Sequence, residues 1–332
     1  MKRLLIAIIV LATAWAGYWV FASRGVKSEL AGWFDDRRAD GWVAEYSDLS
    51  VNGFPNRVDA NFTNISLADP QSGWAWEVPF FQLLTLSYQP NHIIAVWPQT
   101  QMLATPKQKY QITSTKLQAS VVLDAGEALP LNRANLVADT LTLQDSDGQA
   151  TTMTALRAAI QAAPETPNTY LFAIEAEDFA PPMALRGLIG AADLPRAFET
   201  LRAQLEVSFD DQWDRSSIER RRPQPTRLDL KLAEARWGEL ELWLAGAADL
   251  DDKGRLNGSL TIKARNWSEI IDMAVSSGQI SRKMGRQLGD GLSLLSQLAG
   301  NPNTLDIPLE FRKGTVFLGP VPLGKLPRLV LR

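Results

Sequence analysis

Two counts bound the chemistry open to this chain: it has no cysteine, and His92 is its single histidine. Without cysteine there is no thiolate nucleophile and no iron–sulfur cluster. One histidine excludes the multi-histidine metal sites. A Ser-His-Asp relay would have to run through His92. That residue lies between Asn91 and Ile93 at the start of an apolar run, and no G-x-S-x-G elbow occurs, so it reads as a structural histidine. Paired acids stand at Asp35-Asp36, Asp210-Asp211 and Asp251-Asp252. Carboxylate-pair hydrolysis needs two acids facing one another across a substrate, and adjacent acids read as solvated residues instead. Asp249 to Gly254 imitates a calcium loop, but Lys253 takes a ligand place and Leu260 stands where the bidentate Glu belongs. A hairpin turn fits better. Arg220-Arg221-Arg222 could touch phosphates, although such a run reads first as an exposed loop. Walker and G-x-G-x-x-G loops are absent. No catalytic residue, cofactor or metal ligand is therefore expected, and the chain reads as non-enzymatic.

The elements that must carry whatever site exists begin with the first 22 residues. Lys2 and Arg3 precede Leu4 to Ala22, about 19 residues without a charge, close to the ~20 that cross a bilayer as a helix. Trp15, Tyr18, Trp19 and Phe21 load the far end with rings suited to a membrane–water interface. The positive-inside rule keeps Lys2 and Arg3 cytoplasmic and exports the remainder. Ala14-Trp15-Ala16 before Gly17 fits a small-x-small cleavage pattern, yet the apolar run continues beyond it. An uncleaved anchor is the preferred reading.

Residues 23–46 read as a stalk helix, with Val26, Leu30, Trp33 and Phe34 on one face. From Asp48 the period becomes two. Val58, Ala60 and Phe62 alternate with polar neighbours, and the apolar phase then shifts to Ile65 and Leu67, which predicts a bulge or a bend. Strands are expected at Trp74 to Tyr88, His92 to Trp97, Leu117 to Leu123, Leu131 to Leu143, Tyr170 to Glu177 and Ala203 to Phe209. Helical spacing predicts helices over Thr151 to Ala163 and from Pro181-Pro182 through Leu201. The most regular stretch is Leu228/Leu230/Leu232, Leu240/Leu242/Leu244 and Leu256/Leu260/Ile262, each alternating with polar residues, an antiparallel meander with one apolar face. A helix capped by Ser268 and a second from Ser281 to Ala299, stopped by Gly300, follow. Two short strands and a Pro/Gly-rich tail, Gly319 to Gly324, complete the pass.

The organisation read from this is an anchor or signal segment (1–22), a stalk helix (23–46), a first β-rich half (47–213), a linker (214–226) and a second β-meander half with two helices and the tail (227–332). The fold class is α+β, mainly β: large curved antiparallel sheet or sheets with helices on one side, preceded by one N-terminal transmembrane helix. The net charge of −3 argues against a nucleic-acid partner. One-sided strands need a cover, and any apolar face the helices leave open is a hydrophobic groove. Its candidate lining is Leu228, Leu230, Leu240, Leu242, Leu260 and Ile262.

Gly53-Phe54-Pro55 before a strand, Trp74 to Pro79, His92-Ile93-Ile94, Pro308-Leu309-Glu310-Phe311, Lys313-Gly314 and Leu318 to Gly324 resemble a family of bacterial membrane-anchored envelope proteins catalogued as a domain of unknown function. The plan is distantly similar to the AsmA-like envelope proteins. That similarity implies a curved sheet whose apolar inner face handles phospholipid, and it carries over no catalytic residue. The expectation is a single-pass bacterial inner-membrane protein with its bulk in the periplasm. Its expected role is non-enzymatic lipid binding or transfer in envelope maintenance, with a phospholipid or fatty acyl ligand. The alternative is a structural or scaffolding envelope protein that binds a protein partner; a cell-envelope hydrolase comes third.

Overall fold

Helices are few and strands dominate the computed structural model, which describes residues 1–188, 190–191, 194–298 and 303–331. The chain divides into two compact units, Met1–Leu123 with Leu136–Gly148, and Asp124–Asn135 with Gln149–Arg332. This differs from a division at 214–226, because that segment carries a short helix inside the second unit. All the strand pairings named below are antiparallel.

The first unit opens with α1 (Lys2–Ala39), one unbroken helix that joins the apolar segment to the stalk. It is long and apolar enough to cross a membrane. The helix stops short of the expected residue 46: Arg37 and Arg38 complement the dipole of its last turn, and Gly41 turns the chain at φ +86°. The strands are β1 (Val43–Glu45), β2 (Asp48–Asn52), β3 (Asp59–Asp69), β4 (Trp74–Leu86), β5 (Gln89–Val96), β6 (Thr100–Ala104), β7 (Lys109–Thr115), β8 (Gln118–Leu123) and, from Leu136 on, β9 (Leu131–Asp145), whose start belongs to the second unit. Both β1 and β2 pair with β3, which pairs with β4. One end of β4 pairs with β5 and the other with β6, so the sheet forks into β5–β8 and β6–β7–β9 arms.

The phase shift read in β3 is a local bend and not a bulge, because the register against β4 is the same before and after it. Thr63 faces Phe80 and Ile65 faces Val78, while Asn64 between them takes a left-handed φ of +50°, a conformation Asn tolerates well. Ala60, Phe62 and Ile65 are all buried as a result. Phe34 closes this core, 4% exposed, with ring centroids 4.8 Å from Tyr46 and 5.4 Å from Phe62. Val26 and Leu30 pack beside it, so the stalk half of α1 lies on the sheet.

The second unit contains β10 (Ala150–Ala162), β11 (Thr169–Ala180), α2 (Met183–Leu188), β12 (Phe198–Phe209), α3 (Arg215–Glu219), β13 (Pro225–Trp237), β14 (Leu240–Leu250), β15 (Leu256–Arg265), α4 (Ser268–Ser276), α5 (Arg282–Leu298), β16 (Thr304–Arg312), β17 (Thr315–Leu318) and β18 (Val321–Lys325). From β10 to β18 each strand pairs with the next. Residues 151–163 are thus a strand and not a helix: Ala-rich composition favours helix locally, but pairing with β11 overrides it, with register shifts along the way. The expected 181–201 helix is reduced to Met183–Leu188, because Phe198 to Leu201 join the sheet. Ser268 is the first residue of α4 with Trp267 at the cap position, whereas the Ser281 hydroxyl does cap α5, accepting from the Met284 N–H at 3.2 Å. The tail forms β18 against β17. The stop expected at Gly300 lies outside the described residues.

Candidate functional site

Partners directly opposite in an antiparallel ladder point to the same face, so register alone assembles the faces of the second unit. One row runs Ile174, Ala203, Ala233, Leu244, Ile262 and Ile307 across β11 to β16. The next runs Phe172, Leu205, Leu230, Gly246, Leu260 and Leu309, and a third Tyr170, Val207, Leu228, Ala248, Gly258 and Phe311. A fourth runs Ala176, Leu201, Ala235, Leu242, Ala264 and Leu305. Every position in these four rows is apolar or glycine. The opposite face carries ion pairs between registered partners: Arg202 with Glu234 at 2.7 Å, Arg227 with Asp249 at 2.7 Å and Arg265 with Glu241 at 3.1 Å.

Five of the six predicted lining residues lie in these four rows: Leu228, Leu230, Leu242, Leu260 and Ile262. Leu240, the sixth, points to the same face two residues before Leu242 and is buried opposite Trp237 at the hairpin. The face is closed at its two margins. Tyr170, Val207 and Phe209 form a buried cluster with Trp213 and Leu131 at one margin. At the other, α4 and α5 lay Ile270, Ile271 and Leu292 on Ala264, Leu305, Leu242 and Ile307. The two central rows stay partly open. Leu205, Leu230, Leu244, Leu260, Ile262 and Leu309 are half-buried, and Ile174 is 50% exposed. Register shifts at Gln204/Leu205 and Leu230/Ala233 fall in these rows and bend the strands there. Gly246 lets β14 and β15 close up: a Cβ on it would lie 2.3 Å from the Ser259 carbonyl oxygen.

Beside the closed margin, α4 and α5 enclose a cleft of about 440 Å³. Trp267, Ile271 and Val275 are its apolar lining; Arg282 and Arg286 line it from α5, with Asp272 on α4. Trp267 and Ile271 also belong to the cluster on the sheet, so the cleft and the apolar face share side chains. Among the described residues neither arginine has an ion-pair partner. Gly285 permits the close helix approach, since a Cβ there would meet Val275 Cγ2 at 2.5 Å. Burial raises the Glu269 carboxyl above its ordinary range, with Glu239 and Asp272 adding repulsion. The sequence reading missed this cleft. Its signal is Arg282-Lys283-Met284-Gly285 followed by Arg286-Gln287-Leu288-Gly289, which at helical spacing stacks two arginines and two glycines on neighbouring stripes.

The other residues that drew attention sit in ordinary surroundings. His92 is a half-buried β5 residue opposite Val122, its carbonyl accepting the Thr85 hydroxyl at 2.8 Å. Asp251 accepts the Lys253 and Arg255 N–H groups and pairs with the Arg255 side chain, which holds its carboxyl down to about 2. Its oxygens serve the hairpin turn. Asp210 bonds Arg221 and the Gln224 N–H. Among the described residues no cluster of three acids or histidines could hold a metal ion.

With this geometry in place, comparison with known proteins locates the chain by family. Residues 19–327 match the model of "Uncharacterized protein conserved in bacteria (DUF2125)", and the chain belongs to that family. No curated protein and no solved structure matches it.

Proposed function

We propose that this chain is a membrane-anchored protein of the bacterial envelope, its bulk in the periplasm, that binds an acyl-chain lipid without transforming it. The observation that carries the reading is the register from β11 to β16. It gathers side chains from six strands into one apolar face whose middle rows stay half-exposed. Burial of an acyl chain is worth about 0.8 kcal/mol per CH₂, so such a face binds without a catalytic group. Arg282 and Arg286 supply charge for an anionic head at the margin, where charge-assisted hydrogen bonds are the strong ones. In this reading the lipid is carried or handed over during envelope maintenance, and the distant similarity to AsmA-like proteins points the same way. Lys2 and Arg3 orient α1 with its start in the cytoplasm.

The test is native mass spectrometry of the full chain purified in mild detergent, with extraction of whatever lipid accompanies it. A stoichiometric phospholipid or fatty acid is the expected result. A clean apo mass that stays unchanged after incubation with phospholipid vesicles sinks the lipid reading and turns the search to protein partners.

A further inference from the structure

The aromatic rings at the end of the apolar segment do not face lipid alone. Trp15 Nε1 donates to the Pro55 carbonyl at 2.9 Å, Trp19 Nε1 to the Arg57 carbonyl at 2.6 Å and the Tyr18 hydroxyl to the Ser87 carbonyl at 3.0 Å. The Phe54 ring meets Trp19 edge-on at 5.5 Å. Two turns of the first unit, Gly53–Arg57 and Ser87–Tyr88, are therefore fastened alongside α1 at the level of residues 15–19. Phe54 is 56% exposed and Tyr88 61%. Placing all of Leu4–Ala22 across the bilayer would carry the Arg57 turn below the outer headgroups. Arg57 forms an ion pair with Asp59 at 2.9 Å, and charged groups in hydrocarbon are costly.

We propose that these two turns are a second membrane contact of the protein, seated on the outer interface, with the boundary of the hydrocarbon running through α1 near Trp19. The inference rests on the anchor part of the proposed function and not on the lipid groove. With helical rise 1.5 Å per residue, the Trp15–Pro55 contact lies about 6 Å deeper than the Trp19–Arg57 contact. That matches the ~5–10 Å to which interfacial apolar groups enter the headgroup–acyl boundary. Phe54 is the inserted wedge, and Tyr88 sits at headgroup level, the preferred place for amphipathic rings. Leu4–Tyr18 then crosses about 22 Å. That is short of the ~30 Å core, and snorkelling of Lys2 and Arg3 with local thinning accommodates it.

The absence of native cysteine makes the test direct. Single-cysteine variants Val10→Cys, Phe54→Cys, Tyr88→Cys and Gln71→Cys of the full chain are labelled with an environment-sensitive fluorophore and reconstituted in phosphatidylethanolamine/phosphatidylglycerol vesicles. Gln71 lies in the turn at the far end of β3 and reports the aqueous reference. The expected result is a blue shift and protection from aqueous iodide at positions 10, 54 and 88, with position 71 fully quenched. Protection at position 10 with 54 and 88 quenched like 71 overturns the docking and leaves the anchor standing. Quenching at position 10 as well overturns the anchor, and the docking with it.

Discussion

The two units solve the same problem differently. Each has strands that are apolar on one side only. In the first, α1 lies on β1 to β3 and Phe34 fills the space between helix and sheet. In the second, α4 and α5 cover one margin, Tyr170 and Phe209 with Trp213 close the other, and the rows between stay half-exposed. Alternation in a sequence states that a face is apolar. What covers that face depends on where helices land, and here the second unit has less helix than its apolar area needs.

This contrast is open to direct attack. The largest effect is expected from Phe34→Ala, which empties the middle of the first core and should cost about 3–5 kcal/mol in urea unfolding. Leu230→Ala on the open face should cost less than about 1.5 kcal/mol, because the side chain keeps much of its contact with water when folded. Equal costs for the two would refute the difference between a covered and an uncovered sheet. Gly246→Val comes next: its side chain has to displace the Ser259 carbonyl, and overpacking of this kind costs about 1–3 kcal/mol. Melting temperature reads it, and an unchanged value would mean that β14 and β15 are not held that closely.

A double variant sharpens the contrast without touching stability. Arg282→Gln with Arg286→Gln removes two exposed cations from the cleft. Unfolding should stay within about 0.5 kcal/mol of the parent. Affinity for anionic over zwitterionic lipid should fall about tenfold or more, since hydrogen bonds to charged groups are worth about 1.5–3 kcal/mol. Lipid-overlay titration in vesicles of varied charge measures it; retained preference for anionic lipid removes the arginines from the site. The smallest effect concerns Glu269. Its folded carboxyl is raised by burial first and by Glu239 and Asp272 second, so the folded state holds the proton longer than the unfolded state. Stability should therefore decline as pH rises from the ordinary glutamate range of about 4.3 through the raised folded value. Glu269→Gln should abolish that decline, a change of a few tenths of a kcal/mol by denaturation across pH. A slope identical in parent and variant would assign the decline to another group.

Much of this architecture was legible in the residues, for identifiable reasons. The alternation from Leu228 to Ile262 survives as the ladder of β13 to β15, because one-sided burial pins the register, except at Leu232, which the shift after Leu230 places opposite Gln204 while Ala233 takes the apolar face. The apolar phase shift after Phe62 announced an irregular residue, which is the left-handed Asn64, a bend that leaves the pairing register unchanged. The stripe of Val26, Leu30 and Phe34 was likewise readable as a packed helix face. Other features were hidden. Thr151 to Ala162 carries Leu156 and Ile160 at helical spacing among alanines, and only pairing with β11 decides for strand. Strands β6 and β7 are rich in Gln and Thr, and the alternation of Tyr110 and Ile112 in β7 is too short to stand out. Arg282 and Arg286 looked like ordinary solvated helix residues until α4 was placed against them. In each hidden case the deciding partner is distant in sequence, which local pattern does not register.

The continuity of α1 has a mechanical consequence. Its 38 residues form one rod about 57 Å long, with no proline, glycine pair or loop between Trp15 and Phe34. The phase of that rod is keyed at both ends: by the three side-chain clasps on the Pro55, Arg57 and Ser87 carbonyls, and by Phe34 seated between Tyr46 and Phe62. Adding one residue between Trp19 and Val26 would turn one end against the other by about 100°, and the two ends could not both stay engaged. The rod thus transmits torque and tilt to the first unit without slack, as a key shaft turns with its bit.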